Sequence, residues 1–219
     1  VSGGHTQLLA VKGPGSYQRY GTTMDDAAGE AFDKCAKAMG LGFPGGPAIE
    51  AAAKKGNSEA IDLPRPLRGK PGCHFSFSGL KTALANKLHN LGGPNAAPVA
   101  DLAASLQAAI ADCLADRTKQ AMTRFRDEFA TADGQRPSIV IAGGVAANHY
   151  IFGQLQDDAN AAGFHLSVPP AILCTDNAAM IAWAALERLE APDTLDFAPR
   201  PRWPLDPNAS PPPGRGVRQ

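Results

Sequence analysis

A run of four apolar residues that ends in two glycines constrains the fold of this chain more than any other feature. Residues 139–142 are all apolar, and Gly143 and Gly144 follow them directly. Such a run is typical of a buried parallel strand, and parallel strands need helical crossovers. Helical periodicity over 147–162 and a second apolar segment over 164–168 complete a strand–helix–strand unit. The sequence therefore predicts an α/β fold.

The rest of the chain is predicted to form a hairpin followed by helices. The predicted segments are hairpin strands within 1–11 and 17–23 and helices over 25–39, 48–55, 78–88, 99–125 and 176–190. Ser78 is predicted to cap the third of these helices, and Asp25 and Asp26 to lie near the N-terminus of the first. We expect one domain over 1–191, with a helical insertion at about 47–130. Residues 192–219 are Pro-rich and are predicted to form an extended tail.

Composition excludes several classes of protein. The 219 residues are 44% hydrophobic, which is enough to bury a core, and 21 basic residues balance 21 acidic ones. No net field therefore attracts the chain to nucleic acid or to an anionic membrane. No apolar run approaches the roughly 20 residues of a membrane span. The four cysteines form no CxxC pair, which argues against a zinc site or disulfides and favours a cytoplasmic location. Because the chain opens at Val1 without Met, we expect it to be part of a longer protein.

Two glycine pairs are candidates for ligand binding. One pair is Gly3 and Gly4 at the start of the hairpin, and the other is Gly143 and Gly144 between a strand and a helix. Glycine lets backbone N–H groups approach a phosphate, and the N-terminus of a helix adds partial positive charge. Tight turns explain each pair equally well. Neither pair matches a P-loop or a dinucleotide-binding fingerprint.

Carboxylates supply a second group of candidates, each with an ordinary structural alternative. Glu30, Asp33 and Lys34 share one face of the first helix, where Asp33 could accept hydrogen bonds from ribose or simply face solvent. Asp176 could provide one oxygen ligand to a metal or cap the last helix. No two histidines are four residues apart, so the sequence contains no HxxxH motif.

Two further segments allow a chemical interpretation. Ser76, Ser78 and Lys81 could form a Ser–Lys dyad, although a helix cap followed by a surface lysine is the simpler interpretation. A short basic stretch lies beside aromatic residues and could contact RNA phosphates. Its members are Arg65, Arg68, Lys70, Phe75 and Phe77.

Seven segments together resemble the universal tRNA N6-adenosine threonylcarbamoyltransferase family, formerly described as O-sialoglycoprotein endopeptidases. In order, they are VSGGHTQL, DDAAGEAFDKCAKAMGL, FPGGP, FSFSGLKT, VIAGGVAAN, CTDNAAMIA and RPRWPL. The resemblance implies the actin-like ATPase (ASKHA) fold that Hsp70 and sugar kinases share. It further implies that this chain is mainly the C-terminal lobe of that two-lobed fold.

The resemblance also implies an activity and a set of site residues. The family transfers a threonylcarbamoyl group from threonylcarbamoyl-AMP to N6 of the adenosine 3′ of the anticodon, in tRNAs that read codons beginning with A. By this resemblance, several residues along the chain would bind the nucleotide, and Asp176 would be one metal ligand. The resemblance identifies no catalytic base in this chain. The implied nucleotide-binding residues are Val1, Ser2, Gly3, Gly4, Asp33, Gly46 and Asn148.

Cofactors and partners follow from the same resemblance. The family uses one divalent metal, Fe²⁺ or alternatively Zn²⁺, and binds threonylcarbamoyl-AMP, ATP or ADP. It acts on tRNA with an inactive paralogue and a small ATPase, in the cytoplasm and without a membrane. The other metal ligands belong to a His-xxx-His helix in a first lobe that this chain lacks, so we predict that the chain alone is inactive. Two alternatives stay open: an actin-like sugar or small-molecule kinase lobe, and a truncated, non-catalytic binding module.

Overall fold

A computed structural model describes residues 1–129, 135–174, 177–189, 196, 198 and 204–211 of the chain. The predicted α/β class is confirmed, because the described residues form both α-helices and β-strands. The strands are β1 (Gln7–Gly13), β2 (Ser16–Thr22), β3 (Ser138–Val140) and β4 (His165–Ser167). The α-helices are α1 (Ala28–Ala38), α2 (Gly45–Ala53), α3 (Ser78–Asn90), α4 (Val99–Glu128), α5 (His149–Ala161) and α6 (Ala178–Leu186).

The strands form two small sheets. β1 and β2 make the predicted antiparallel hairpin, in which Ala10 lies opposite Gln18. β3 and β4 are parallel, with Ile139 opposite Leu166, and α5 connects them as the crossover helix. The predicted burial of the first parallel strand is wrong at Val140, which is 62% exposed, because no described element covers that face. Residue-level periodicity shows that a strand forms, but it does not show how many faces are covered.

The long helix α4 is the centre of the core. Its 30 residues span about 45 Å at 1.5 Å per residue, and both α2 and α5 pack against it. Gly56 lies so close that a β-carbon there would be 2.0 Å from the carbonyl oxygen of Ala100. The predicted apolar face is confirmed as the contact surface. Its largest buried members are Leu102, Leu106, Ile110, Leu114 and Met122.

Several predicted helix starts need correction. α1 begins at Ala28 and not at Asp25, and α2 begins at Gly45. Ser78 does not cap α3, since Phe77 holds the N-cap position without a side-chain hydrogen bond. The amides there are bound instead by a distant carboxylate, described below. α6 is capped by Asn177, whose side chain accepts from the Met180 amide at 2.9 Å.

Residues 204–211 contact the hairpin. Asp206 accepts the Arg19 amide at 2.8 Å, and the Arg19 guanidinium donates to the Ser210 carbonyl at 2.6 Å. The predicted extended tail is wrong here, because Asp206 also accepts the Asn208 amide and closes a turn. The domain boundaries at 191 and 192 stay predictions. Within the described residues, no helix is both long enough and apolar enough to cross a bilayer.

Candidate functional site

The two glycine pairs, which lie about 140 residues apart in sequence, meet in the fold. The Val1 nitrogen donates to the Ala142 carbonyl at 2.6 Å, and the Val145 amide donates to the Val1 carbonyl at 3.2 Å. Gly143 has φ = +96°, and a β-carbon there would lie 2.4 Å from the Val1 carbonyl oxygen. Gly143 is therefore required both by its backbone conformation and by the close approach of Val1. The two predicted glycine segments are therefore neighbours in the fold.

The first glycine loop is a compact turn held by α1. The Ser2 amide donates to the His5 carbonyl at 2.8 Å, and the His5 amide donates back to Ser2 Oγ at 3.1 Å. Two amides at the start of α1 then fix the loop: Gly29 donates to the Ser2 carbonyl at 3.1 Å, and Ala28 donates to Thr6 Oγ1 at 2.9 Å. A β-carbon at Gly29 would lie 2.7 Å from the Ser2 backbone, so only glycine permits this contact. The Gly4 amide also donates to Ser2 Oγ at 3.3 Å, so the turn uses the amides of Ser2, Gly4 and His5, while no hydrogen bond of the Gly3 amide is seen within the described residues.

Other glycines border open space. No described atom lies within 4 Å of a β-carbon placed on Gly3, Gly4, Gly46 or Gly144. Their glycine identity is therefore not explained by packing against the described part of the chain. A backbone without side chains at these positions leaves room for a ligand to approach the main chain closely.

Asp33 connects α1 to the start of α2. Its Oδ1 accepts the Gly45 amide at 2.7 Å, and a β-carbon on Gly45 would lie 2.5 Å from the Asp33 α-carbon. Gly46 follows Gly45 directly, so two of the candidate residues, Asp33 and Gly46, are close in the fold. Within the described residues, Oδ2 of Asp33 makes no hydrogen bond, so one carboxylate oxygen can still accept from a ligand hydroxyl. The neighbouring Lys34 is not simply solvated, since it pairs with Glu30 at 2.8 Å.

Asn148 is buried and caps α5. Its Oδ1 accepts the Ile151 amide at 3.0 Å, and its Nδ2 donates to Gln107 Oε1 at 2.8 Å. The side chain therefore fixes the turn that follows the second glycine pair. Sequence reasoning missed Gln107. A single amide side chain within the apolar stripe of α4, next to Leu106, is the signal that could have found it.

Glu50 is a second residue that the sequence interpretation missed. Its Oε1 accepts both the His149 amide at 2.9 Å and a hydrogen bond with His149 Nδ1 at 3.0 Å. The contact fixes the start of α5 against α2. Together, Asp33, Glu50 and Asn148 fix the starts of two helices, α2 and α5, near the two glycine pairs.

The Ser–Lys interpretation is wrong. Ser76 Oγ and Ser78 Oγ both donate to the Asp25 carboxylate, at 2.5 Å and 2.8 Å. Lys81 lies 3.5 Å from Oδ2 of Asp26, so its charge is engaged elsewhere.

Electrostatics around Asp26 favour its charged form. Burial by itself would raise the pKa of Asp26, but the hydrogen bond and charge of Lys34 and the charge of Lys81 outweigh burial and lower it. Hydrogen bonds to Asp26 and Glu30 raise the pKa of Lys34. This cluster contains carboxylates and lysines in balance, so it stabilises the start of α1 rather than presenting a net charge.

The basic stretch does not combine free cations with stacking rings. Arg65 Nε and Arg68 Nη1 pair with Oδ2 of Asp112 at 3.0 Å and 3.4 Å. Phe75 and Phe77 are buried and stack on each other. The two rings therefore belong to the core, and the contact of Arg65, Arg68 and Lys70 with RNA phosphates stays a prediction.

Metal ligands and thiol nucleophiles were also tested against the structure. Asp176 lies outside the described residues, and among those described no group of three or more His, Cys, Asp or Glu side chains could hold a metal. The described residues therefore do not fit a metal ion by themselves. Burial raises the pKa of both Cys35 and Cys113 to about 12, so neither thiol is a nucleophile at neutral pH.

Comparison with known proteins gives one consistent result. The family model described as tRNA N6-adenosine threonylcarbamoyltransferase matches residues 1–183. Proteins with that name from Rhizobium johnstonii and Rhizobium meliloti are each 54% identical, over 212 and 221 residues, or 95% and 100% of this chain. The protein of that name from Rhodospirillum rubrum is 54% identical over 99% of the chain. The aligned regions cover 58%, 61% and 60% of these relatives, so the chain spans about three fifths of their length.

Proposed function

Because the chain belongs to the tRNA N6-adenosine threonylcarbamoyltransferase family, we propose that it forms the nucleotide-binding part of such an enzyme. The enzyme would transfer the threonylcarbamoyl group from threonylcarbamoyl-AMP to N6 of the adenosine 3′ of the anticodon, in tRNAs that read codons beginning with A. The observation that carries the proposal is the contact of Val1, two residues before the first glycine pair, with Gly143 of the second pair and with the Val145 amide. The relatives' names favour this acyl transfer over the sugar-kinase alternative.

The proposal includes the fold and the ligand contacts. We infer an actin-like ATPase lobe, in which the loop of Val1, Ser2, Gly3 and Gly4 receives the adenylate phosphate. Asp33 would accept from ribose through Oδ2, while Gly46 and Asn148 bound the nucleoside. The open space beside Gly3, Gly4 and Gly46 supports this arrangement. The Gly3 amide, which the turn leaves unused within the described residues, is the donor that favours an anionic ligand here.

In the proposed reaction, this loop would bind the phosphate of the AMP leaving group. The adenosine N6 attacks the carbonyl carbon of the threonylcarbamoyl group, a C–N bond forms, and the C–O bond to the adenylate phosphate breaks. AMP leaves with the bonding electrons, and N6 loses a proton to solvent or to a base. None of the described residues is assigned as that base. A phosphate bound by the Gly3 amide would be oriented for departure, and its developing charge would be stabilised.

The proposed metal is not part of this derivation. Asp176 would supply one oxygen ligand to Fe²⁺ or Zn²⁺, with histidine ligands from elsewhere in the parent protein. Because the described residues do not fit a metal by themselves, no step is assigned to it. The proposal that this chain alone is inactive follows from the same point and from its covering three fifths of its relatives.

The partners are proposals as well. The name of the relatives supports tRNA as the acceptor. An inactive paralogue, a small ATPase and a cytoplasmic setting complete the proposal on the family resemblance.

Calorimetric titration with ATP, and with a stable threonylcarbamoyl-adenylate analogue, tests the site. Gly144→Leu would place a side chain in the proposed ligand space without meeting a described atom at its β-carbon. Gly153→Leu is the matched control, since that glycine is also exposed and also borders open space, but lies on α5. We expect the first variant to weaken binding at least tenfold and the second to leave it unchanged. Equal affinities in all three proteins would refute the assignment of the site.

A further inference from the structure

The Asp25 carboxylate joins the segment that leads into α1 to the FSFSGLKT segment, which contains no proposed ligand contact. Asp25 Oδ1 accepts the amides of Phe77 and Ser78 at 2.7 Å and 3.2 Å. Asp25 Oδ2 accepts the hydroxyls of Ser76 and Ser78 at 2.5 Å and 2.8 Å. All four donors lie at the start of α3, about 50 residues away in sequence. Asp25 therefore binds two of the amides at the start of α3 that have no partner within the helix.

The backbone just before Asp25 is tied to the same segment. Thr23 forms a parallel bridge with Phe75, and the Met24 amide donates to the Phe75 carbonyl at 2.9 Å. Thr23 Oγ1 donates to the Asp26 carbonyl at 2.7 Å. The residues that lead into α1 are thus fixed by α3 and its preceding strand-like segment, and not by α1 alone.

The start of α1 in turn holds the first glycine loop. Only two residues separate Asp25 from Ala28, whose amide binds Thr6 Oγ1. The next amide, from Gly29, binds the Ser2 carbonyl. A displacement of Asp25 would therefore be transmitted through one short, hydrogen-bonded segment to Ser2 and Thr6.

We propose that Asp25 is a positioning residue for the first glycine loop. It does not touch the ligand; it fixes α1 so that the Ala28 and Gly29 amides hold the loop in its binding conformation. The FSFSGLK segment serves this purpose by supplying the four donors. The part of the proposal that concerns nucleotide affinity rests on the proposed function, whereas the part that concerns the loop does not.

Hydrogen exchange of the full 219-residue chain tests the positioning directly. In Asp25→Ala, we expect peptides covering 1–6 and 27–30 to exchange at least tenfold faster than in the parent protein, while α4 keeps its protection. Asp112→Ala is the matched control, because Asp112 also accepts from three side chains, Arg65, Arg68 and Gln154, but on the far part of α4. Unchanged exchange over 1–6 in Asp25→Ala would overturn the proposal.

Nucleotide titration separates this proposal from the proposed function. Asp25→Ala should weaken ATP binding at least tenfold, and Asp112→Ala should not, even where both variants lower the melting temperature equally. Faster exchange over 1–6 in Asp25→Ala, together with no nucleotide binding by the unsubstituted chain, would support the positioning role and refute the nucleotide site. If circular dichroism shows that Asp25→Ala is unfolded, the double variant Ser76→Ala/Ser78→Ala removes only the hydroxyl donors. This double variant should show the same faster exchange over 1–6 and 27–30. Unchanged exchange over 1–6 in the double variant would also overturn the proposal.

Discussion

Gly143 and Val1 are in such close contact that a β-carbon on Gly143 would lie 2.4 Å from the Val1 carbonyl oxygen. The contact joins the end of a parallel strand to the loop at the start of the hairpin. It also explains why one glycine of the second pair is indispensable while its neighbour, Gly144, borders open space. Packing against Val1 therefore requires glycine at position 143, whereas no described contact requires it at position 144.

Gly143→Ala should destabilise the chain by about 2–4 kcal/mol, since it adds a clash to a positive φ. Gly15→Ala is the control, because Gly15 has φ = +74° with no described atom near its β-carbon. The control should cost only about 1 kcal/mol, which is the conformational part. Urea unfolding of both variants measures the difference. Equal losses of stability would show that the contact with Val1 contributes nothing.

The Asp26 cluster predicts a pH-dependent contribution to stability. The pKa of Asp26 is lowered in the folded chain, so its contribution is present above its ordinary value of 3.8 and is lost as the pH falls through the folded pKa. The raised pKa of Lys34 extends the contribution on the alkaline side up to its ordinary value of 10.5, above which it is lost. Asp26→Asn should therefore cost on the order of 1 kcal/mol at pH 7 and much less at pH 3.

Urea unfolding at the two pH values checks this expectation. Asp157→Asn, an exposed carboxylate on α5, serves as control and should change stability little at either pH. A cost of Asp26→Asn that is the same at pH 3 and pH 7 would contradict the role of its charge.

Local periodicity predicted the elements well because their apolar faces pack as the pattern requires. The face of α4 that includes Leu106 and Ile110 is buried, and β3 and β4 pair in parallel across a crossover helix. The candidate loops with their glycines could also be found from sequence. What sequence could not show is which distant side chain completes a helix start. Asp25 binds the amides of α3, about 50 residues away, and Gln107 binds Asn148, because tertiary contacts replace the local cap.

Buried polar residues on α4 were equally out of reach of periodicity. Arg117 is 1% exposed, donates to the Gly72 carbonyl at 2.9 Å and pairs with Asp116. We expect Arg117→Ala to cost about 2–4 kcal/mol, because it leaves a cavity and an unsatisfied carbonyl. Arg68→Ala is the contrast, since the Arg68 side chain is 57% exposed, and should cost below about 1 kcal/mol. Thermal and urea unfolding compare the two, and similar losses would argue against a structural role for Arg117.

The last helix predicts self-association of the isolated chain. None of the residues of α6 is buried, and its sequence, AAMIAWAAL, contains no charge. Ile181, Trp183 and Leu186 are 68%, 66% and 60% exposed. A helix that is apolar on all sides and exposed forms a patch that favours association. Sedimentation velocity should therefore show a sedimentation coefficient that rises with protein concentration.

Charged substitutions on α6 test whether that helix is responsible. The double variant Ile181→Glu/Trp183→Glu should shift the chain towards monomer without loss of melting temperature, since neither side chain packs in the described core. Val11→Glu is the matched control, because Val11 is 63% exposed but lies on the hairpin. It should leave association unchanged. A parent chain that is monomeric at high concentration would contradict the prediction, and a Val11→Glu variant that dissociates equally would move the associating surface to the hairpin.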